Sequence, residues 1–392
     1  MSAITSLPTS AAPTGAPSLE QLLALLAATA PERDRQGGTA KRERDLIRAS
    51  DLLLLSTPKE LGGVDADWID IFGVIRKIAT VDSSLAHLFA FHHLMIATLQ
   101  FFGPRQQAYE LMARSAVQRW FWGNALNPKD RRLRINAAGD AFRLDGEKSF
   151  CSGASDSDML VVSAVDRADK LIIAAIPTRR AGICIHDDWD SMGQRQTDSG
   201  TVSFSEVLVS QDELLVSPGP LGSPFATLRP CLAQLILVNI YAGLAQGAVE
   251  EARAYVSALP VEESKRIRSD PFRLRTIGEL CAQSAAANAI VENVARQFDD
   301  AWRLGDDITP EQRGALAINI ASAKAISARA ALEASSRIFD VMGARATAAR
   351  FRLDRFWRNA RTHTLHDPLD EKLREIGDWA INGVYPQPSF YS

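Results

Sequence analysis

Cysteine is scarce in this chain. Four are present in 392 residues, at positions 151, 184, 231 and 281, too widely separated for the close pairs that hold zinc or cycle as dithiols. A disulfide framework is therefore not expected, and a reduced cytoplasmic setting is. An excess of charge of one sign is also missing. With 44 Lys and Arg against 47 Asp and Glu, the net charge is −3, so there is no broad attraction to nucleic-acid phosphates or anionic lipid. The 24 glycines form no phosphate-cradling Rossmann or Walker pattern and no Gly-x-Ser-x-Gly elbow, which argues against a nicotinamide site and a hydrolase serine. No apolar run is read as long enough to cross a bilayer. Residues 1–17 are rich in Ser, Thr, Pro and Ala but lack a basic start and an apolar core, so they are expected to be a flexible tail rather than a signal peptide.

What is present is an ordinary globular balance, 46% hydrophobic and 23% charged, at a length that calls for two or three structural units. Ser18 and Gln21 are spaced as a capping box, with Leu19, Leu22, Leu23 and Leu26 following at helical intervals. Helical patterning fills 18–116, broken by turn chemistry at Pro58 to Gly63 and at Gly103-Pro104. The texture over 117–215 is β-rich, with Asp158 to Ser163 and Leu171 to Ile176 as strands and with turns at Gly139-Asp140 and Asp166-Arg167. From 216 to 392 long helices return, with Ala321, Ala325, Ala328 and Leu332 as a stripe for close helix packing. The expected class is α+β, mostly α, with a β module between two helical units.

Histidine is rare, with six in the chain, and two of them, His363 and His366, stand three residues apart before Asp367-Pro368. Placed in a helix they would share a face and could enter one site, though solvated or structural roles fit that spacing equally. On the helix expected over Ser84 to Phe102, His92 falls in an apolar stripe and His93 about 100° away. His92 is then either a core histidine with one hydrogen-bond partner or a proton donor in a dry pocket. Gly146 to Ala154 is a turn that can present backbone amides and the Ser152 hydroxyl to a flat ligand. Trp189 either closes over a ring system or packs, and Arg345, just beyond a helix break at Gly343, either meets a phosphate or is solvated.

Taken together, the Pro58 to Gly63 turn, the central β unit, Gly146-x-Lys148 leading to Phe150-Cys151-Ser152, and the C-terminal helices resemble the acyl-CoA dehydrogenase superfamily. The resemblance implies an N-terminal helical domain, a middle β-barrel-like domain and a C-terminal four-helix bundle, assembled as a homotetramer. The departures from the dehydrogenases bear on function. Asn124 to Asp130 replaces their flavin-proximal hydroxyl segment. With their Arg-Asp pair set on Arg358-Asn359, the catalytic Glu falls at Asp367, one methylene shorter and followed by Pro368, a poor arrangement for abstracting a proton from an acyl thioester. Phe91-His92-His93-Leu94, Phe150 to Gly153, Trp189 to Thr197, Gly343-Ala344-Arg345 and His363 to Pro368 instead look like the flavin monooxygenase branch, which includes dibenzothiophene monooxygenases and sulfur-acquisition oxidoreductases.

That branch implies reduced FMN from a separate NAD(P)H-dependent FMN reductase, dioxygen as co-substrate and oxygenation through a flavin C4a-hydroperoxide. It implies catalytic roles for His92, His366 and Ser152, cofactor contacts from Ser152, Trp189, Asn124, Asn127 and Arg345, and substrate contacts from His93 and His363. No metal is expected. A small alkyl sulfinate or sulfone is the preferred substrate, with a dibenzothiophene-type thiophene as the alternative. The rival readings are an FAD-dependent acyl-CoA dehydrogenase and a non-catalytic assembly protein of the same fold.

Overall fold

The structure, a computed structural model, describes residues 17–392. The N-terminal tail expected over 1–17 lies, but for Pro17, outside the described residues. The first helix, α1 (Leu19–Gln36), begins where the sequence places it. Ser18 Oγ accepts from Gln21 N at 3.3 Å while Ser18 N donates to Gln21 Oε1 at 2.9 Å, so two orphan amides are satisfied reciprocally. Four more helices complete the unit: α2 (Lys41–Ala49), α3 (Trp68–Val81), α4 (Ser83–Phe102) and α5 (Arg105–Gln118).

The middle unit contains β1 (Trp122–Ala125), β2 (Arg134–Ala138), β3 (Ala141–Lys148), β4 (Met159–Val165), β5 (Leu171–Pro177), β6 (Ile183–Ile185) and β7 (Val202–Val209). They form one seven-stranded curled sheet of order β1-β4-β2-β3-β7-β6, with β5 antiparallel to β4. Both predicted hairpin turns fall between paired strands, β2 to β3 and β4 to β5.

The third unit runs through α6 (Leu228–Ala258), α7 (Val261–Ser269), α8 (Pro271–Leu304), α9 (Pro310–Met342), α10 (Arg355–His363) and α11 (Leu369–Asn382). Long α6, α8 and α9 pack side by side, and short α10 and α11 rest on α9. Helix α9 is punctuated at both ends, by a capping box from Thr309 with Pro310 at its first position, and by Gly343 at φ 85°.

One continuous apolar core joins the two helical units, with Phe72, Ile75 and Phe89 packed among Leu235, Val291 and Phe298, whereas the sheet keeps its own smaller core around Leu144, Val162 and Val207. The expectation of no membrane-length run needs correction. Ser83–Phe102, Phe225–Ala258 and Pro310–Met342 are each long and apolar enough to cross a bilayer, but 94%, 89% and 67% of those apolar windows are buried inside the protein. Helix α4 has protein on every side, so it is apolar all round rather than striped.

Candidate active site

A cavity of about 830 Å³ lies where the three units meet, in the size range of pockets that enclose a cofactor. Helix α4 lends His87, Phe91 and Leu94, which at i, i+4 and i+7 share one face. Asn124 and Asn127 come from the end of β1 and the loop beyond it. That loop is pinned from below by Lys148, wholly buried, whose ammonium donates to Asn127 O at 2.6 Å and also to Asp130 O. Phe150 and Ser152 follow β3, with Phe150 at φ 59° and its ring edge-on to Trp189 at 6.2 Å. The loop carrying Trp189 is held by its own backbone, since the indole Nε1 donates to Gln194 O at 2.9 Å. Arg229, Ala233 and Leu237 line the cavity from α6, and Phe390 and Tyr391 from the C-terminal tail.

A line of hydroxyls and imidazoles forms one wall. Thr197 Oγ1 and Ser199 Oγ are 2.8 Å apart, Ser199 Oγ and Ser152 Oγ 2.8 Å, Ser152 Oγ and His87 Nε2 2.9 Å, and His87 Nδ1 and His363 Nε2 3.0 Å. Thr197 Oγ1 donates onward to Gln194 O at 2.9 Å, so with one hydrogen per hydroxyl and neutral rings the line runs one way, from His363 Nε2–H to His87, from His87 Nε2–H to Ser152, and on through Ser199 to Thr197. Burial pushes His87 down to about 3 and His363 well below the ordinary imidazole range, so both are neutral at pH 7.

His363 ends α10, and His366 sits in the turn before α11. The expected shared helix face therefore does not exist. Pro368 disfavours helix at the residue before it, and the backbone turns through 364–367 instead. The turn buries His363 and leaves the His366 side chain 42% exposed, yet both border the cavity.

Asp367 points away from this wall. Its carboxylate takes the Lys324 ammonium at 2.5 Å and the Gln234 amide at 3.4 Å, with both charged side chains buried. Burial raises its pKa, but His366 and Lys324 outweigh that and hold it below the usual carboxylate range. A carboxylate so paired is a poor proton acceptor.

The sequence matches the acyl-CoA dehydrogenase N-terminal domain over residues 23–117, the middle domain over 126–207 and the C-terminal domain over 235–371. It is 49% identical over 378 residues to the Probable FMNH2-dependent monooxygenase SfnC of Pseudomonas putida, covering 95% of this chain and 96% of that one. The chain belongs to the acyl-CoA dehydrogenase family, in its reduced-flavin monooxygenase branch. Methanesulfinate monooxygenase MsuC from Pseudomonas fluorescens superposes with a TM-score of 0.93 at 50% identity, covering 95% of this chain and 98% of that one. FMN-bound TdsC from Paenibacillus sp. A11-2, a dibenzothiophene monooxygenase, superposes at 0.90 with 40% identity and the same coverage.

As a monooxygenase of this branch the protein uses reduced FMN, and the cavity suits it. Its lining sets the Trp189 and Phe150 rings beside the side chains of Asn124, Asn127 and Ser152, an apolar plane with donors and acceptors of the kind the edge of a flavin ring requires. Of the residues expected at the site, Ser152, Trp189, Asn124, Asn127, His363 and His366 line the cavity.

His92 and His93 do not. His92 Nε2 meets Leu53 O at 2.9 Å while Trp122 N donates to its Nδ1 at 3.2 Å, and His93 is taken by Ser56 Oγ at 2.7 Å and Leu52 O at 3.1 Å. Both tie helix α4 to neighbouring backbone, one helical face away from the cavity. Arg345 is also elsewhere, exposed and paired with Glu263 at 3.0 Å. The residue missed in the sequence is His87. The signal for it is the helical spacing of His87, Phe91 and Leu94, which sets it on a different face of α4 from the His92-His93 pair. Arg229 was also missed, and nothing in its local sequence sets it apart.

Proposed function

We propose that this protein is the oxygenase component of a two-component system: a separate NAD(P)H-dependent reductase supplies reduced FMN, and the chain uses it with dioxygen to oxygenate the sulfur of a small organosulfur compound. The observation that carries this is the wall from Thr197 to His363, set where the corresponding acid, Asp367, is locked in an ion pair. Bound FMN supplies the electrons and the oxygen-activating ring. The chain must exclude water, orient the ring and keep its protons from exchanging with solvent. Ser152 and His87 suit the last task, because a neutral hydroxyl and imidazole in series hold a proton at a fixed atom without adding a charge to a dry site. His366 borders the same cavity from a half-exposed position. Trp189 and Phe150 would hold the bound ring, and Asn124 and Asn127, which line the same cavity, would offer it amides.

Two features of this proposal lie beyond a single chain. Arg345 can serve the FMN phosphate only from a neighbouring copy, which fits a homotetramer. Four free cysteines suit a reduced cytoplasmic setting.

The test is to supply reduced FMN, dioxygen and methanesulfinate, and to measure oxygenated sulfur product against hydrogen peroxide. Wild type should couple the two, and Ser152→Ala should raise the peroxide share about tenfold, as expected for loss of one hydrogen bond worth ~1.4 kcal/mol. Equal coupling in both would remove Ser152 from its role. Turnover of acyl-CoA with an artificial electron acceptor would favour the dehydrogenase reading instead, and failure to bind flavin in either redox state the assembly reading.

A further inference from the structure

Arg229 is the least explained charge in the cavity. It is 5% exposed, and its only hydrogen bond among the described residues runs from Nε to Thr98 Oγ1 at 3.3 Å. Its terminal nitrogens make no bond to the described residues, yet they are not sealed off, so they open onto the cavity that the residue lines. No carboxylate acts on it among the described residues. The one titratable neighbour is the Tyr391 phenol, and burial alone pulls the guanidinium down to about 10. Of the other deeply buried arginines among the described residues, Arg33 has Asp82, Arg44 has Asp156 and Arg355 has Glu251, while Arg313 has no acid but bonds Thr227 O through two of its nitrogens; Arg229 has neither an acid nor a carbonyl.

A guanidinium held in a dry place without a counter-ion is destabilising unless something fills its fork. What fills it is a planar or pyramidal oxyanion, the group that Arg recognises with two parallel hydrogen bonds. The surroundings restrict the remainder of the ligand. Arg229 is the second residue of α6, so the positive end of that helix adds to its field. One and two turns further on, Ala233 and Leu237 present a small apolar wall on the same helix face, with Leu94 across from them on α4. The site pairs one anchored negative charge with room for a short aliphatic group.

We infer that Arg229 is the substrate-anion anchor and that the substrate is an organosulfur oxyanion with a short alkyl tail, an alkanesulfinate, rather than a neutral sulfone or thiophene. This rests on the monooxygenase reading above. Both sulfinate oxygens accept from the guanidinium, which leaves the sulfur lone pair free to take the incoming oxygen. The reaction balances as RSO2⁻ + O2 + FMNH2 → RSO3⁻ + FMN + H2O. Sulfur loses two electrons and reduced FMN two more. One oxygen atom forms the new S–O bond, and the other leaves as water with the two flavin hydrogens. A neutral aromatic substrate would leave Arg229 buried without a partner against an apolar ring.

The test uses the full chain and two readouts that need no turnover. Calorimetric titration of methanesulfinate into flavin-free wild type should show binding. Arg229→Met should weaken it about 10- to 100-fold, the cost of a charge-assisted hydrogen-bonded pair, and Arg229→Lys should recover part of it. Arg229→Met should also raise the thermal midpoint of the free protein, because it removes an unpaired buried charge, whereas a purely structural arginine would lower it. Equal methanesulfinate binding in wild type and Arg229→Met overturns the assignment. So does a loss of reduced-FMN affinity in Arg229→Met with sulfinate binding intact, which would make Arg229 a partner of the flavin phosphate. Turnover of dimethyl sulfone or dibenzothiophene with none of methanesulfinate overturns the substrate class. Sulfinate binding that depends on Arg229 in a protein that oxygenates nothing would uphold the anion site and sink the monooxygenase reading.

Discussion

His87 and His92 lie five residues apart on one buried helix and do different work because of what their nitrogens meet. His87 is held by a serine hydroxyl and a second imidazole, groups that can exchange protons. His92 is held by Leu53 O and Trp122 N, which cannot. His92→Leu should therefore cost stability, about 1–3 kcal/mol for a backbone amide and a carbonyl left unsatisfied, with the product-to-peroxide ratio retained. His87→Leu should shift that ratio strongly toward peroxide. Denaturant unfolding paired with peroxide assays separates the two, and a His92 variant that uncouples would contradict the assignment. The six histidines announced that imidazole chemistry was available, but the choice between neighbours on α4 was not legible in the sequence. It depends on which turn of the helix faces the sheet.

At the scale of elements, the Trp189 loop is fitted to α10 by the absence of a side chain. A Cβ on Gly193 would lie 2.1 Å from Arg358 O, and Gln194 N donates to Asn359 Oδ1 at 2.6 Å. Gly193→Ala must push the loop off the helix, at a cost of roughly 1–3 kcal/mol for an overpacked contact. It should also weaken reduced-FMN binding severalfold, measurable by anaerobic titration. Unchanged affinity would mean that Trp189 does not depend on this contact. The C-terminal segment is a second fitted element. Lys372 donates to Tyr391 O and to Ser392 Oγ at 2.7 Å, and Lys129 lies 4.1 Å over the Tyr391 ring. The segment docks on its own chain and closes one side of the cavity. Removing Pro386 to Ser392 should admit water and raise peroxide release severalfold, with reduced-FMN affinity as the control.

Across the whole molecule, four of the six imidazoles are buried and neutral. Burial takes His87 to about 3, His92 to about 4, and His93 and His363 well below the ordinary value. A folded-state pKa below the unfolded value near 6.5 means that the unfolded chain binds protons that the native protein refuses. Native stability is therefore full above pH 6.5 and falls as the pH drops from 6.5 toward 4, by up to about 1.4 kcal/mol per pH unit for each imidazole. Denaturant midpoints measured from pH 7.5 to 4 should show this fall, and His92→Leu should flatten it; a midpoint independent of pH over that range would contradict the buried-neutral assignment. Capping boxes, turn residues, β texture and family motifs are local properties of the chain, so the sequence by itself determined the three-unit order, the start of α1, the helix break at Gly343, the hairpin turns, and the choice of Ser152 and Trp189, which the structure sets on the cavity lining. It could not reveal which face of an all-apolar helix looks inward, that Pro368 would end the helix between His363 and His366, that Lys324 would neutralise Asp367 from 43 residues away, or that Arg229 would be left without an acid. Those depend on distances between elements far apart in the chain, and only tertiary packing sets them.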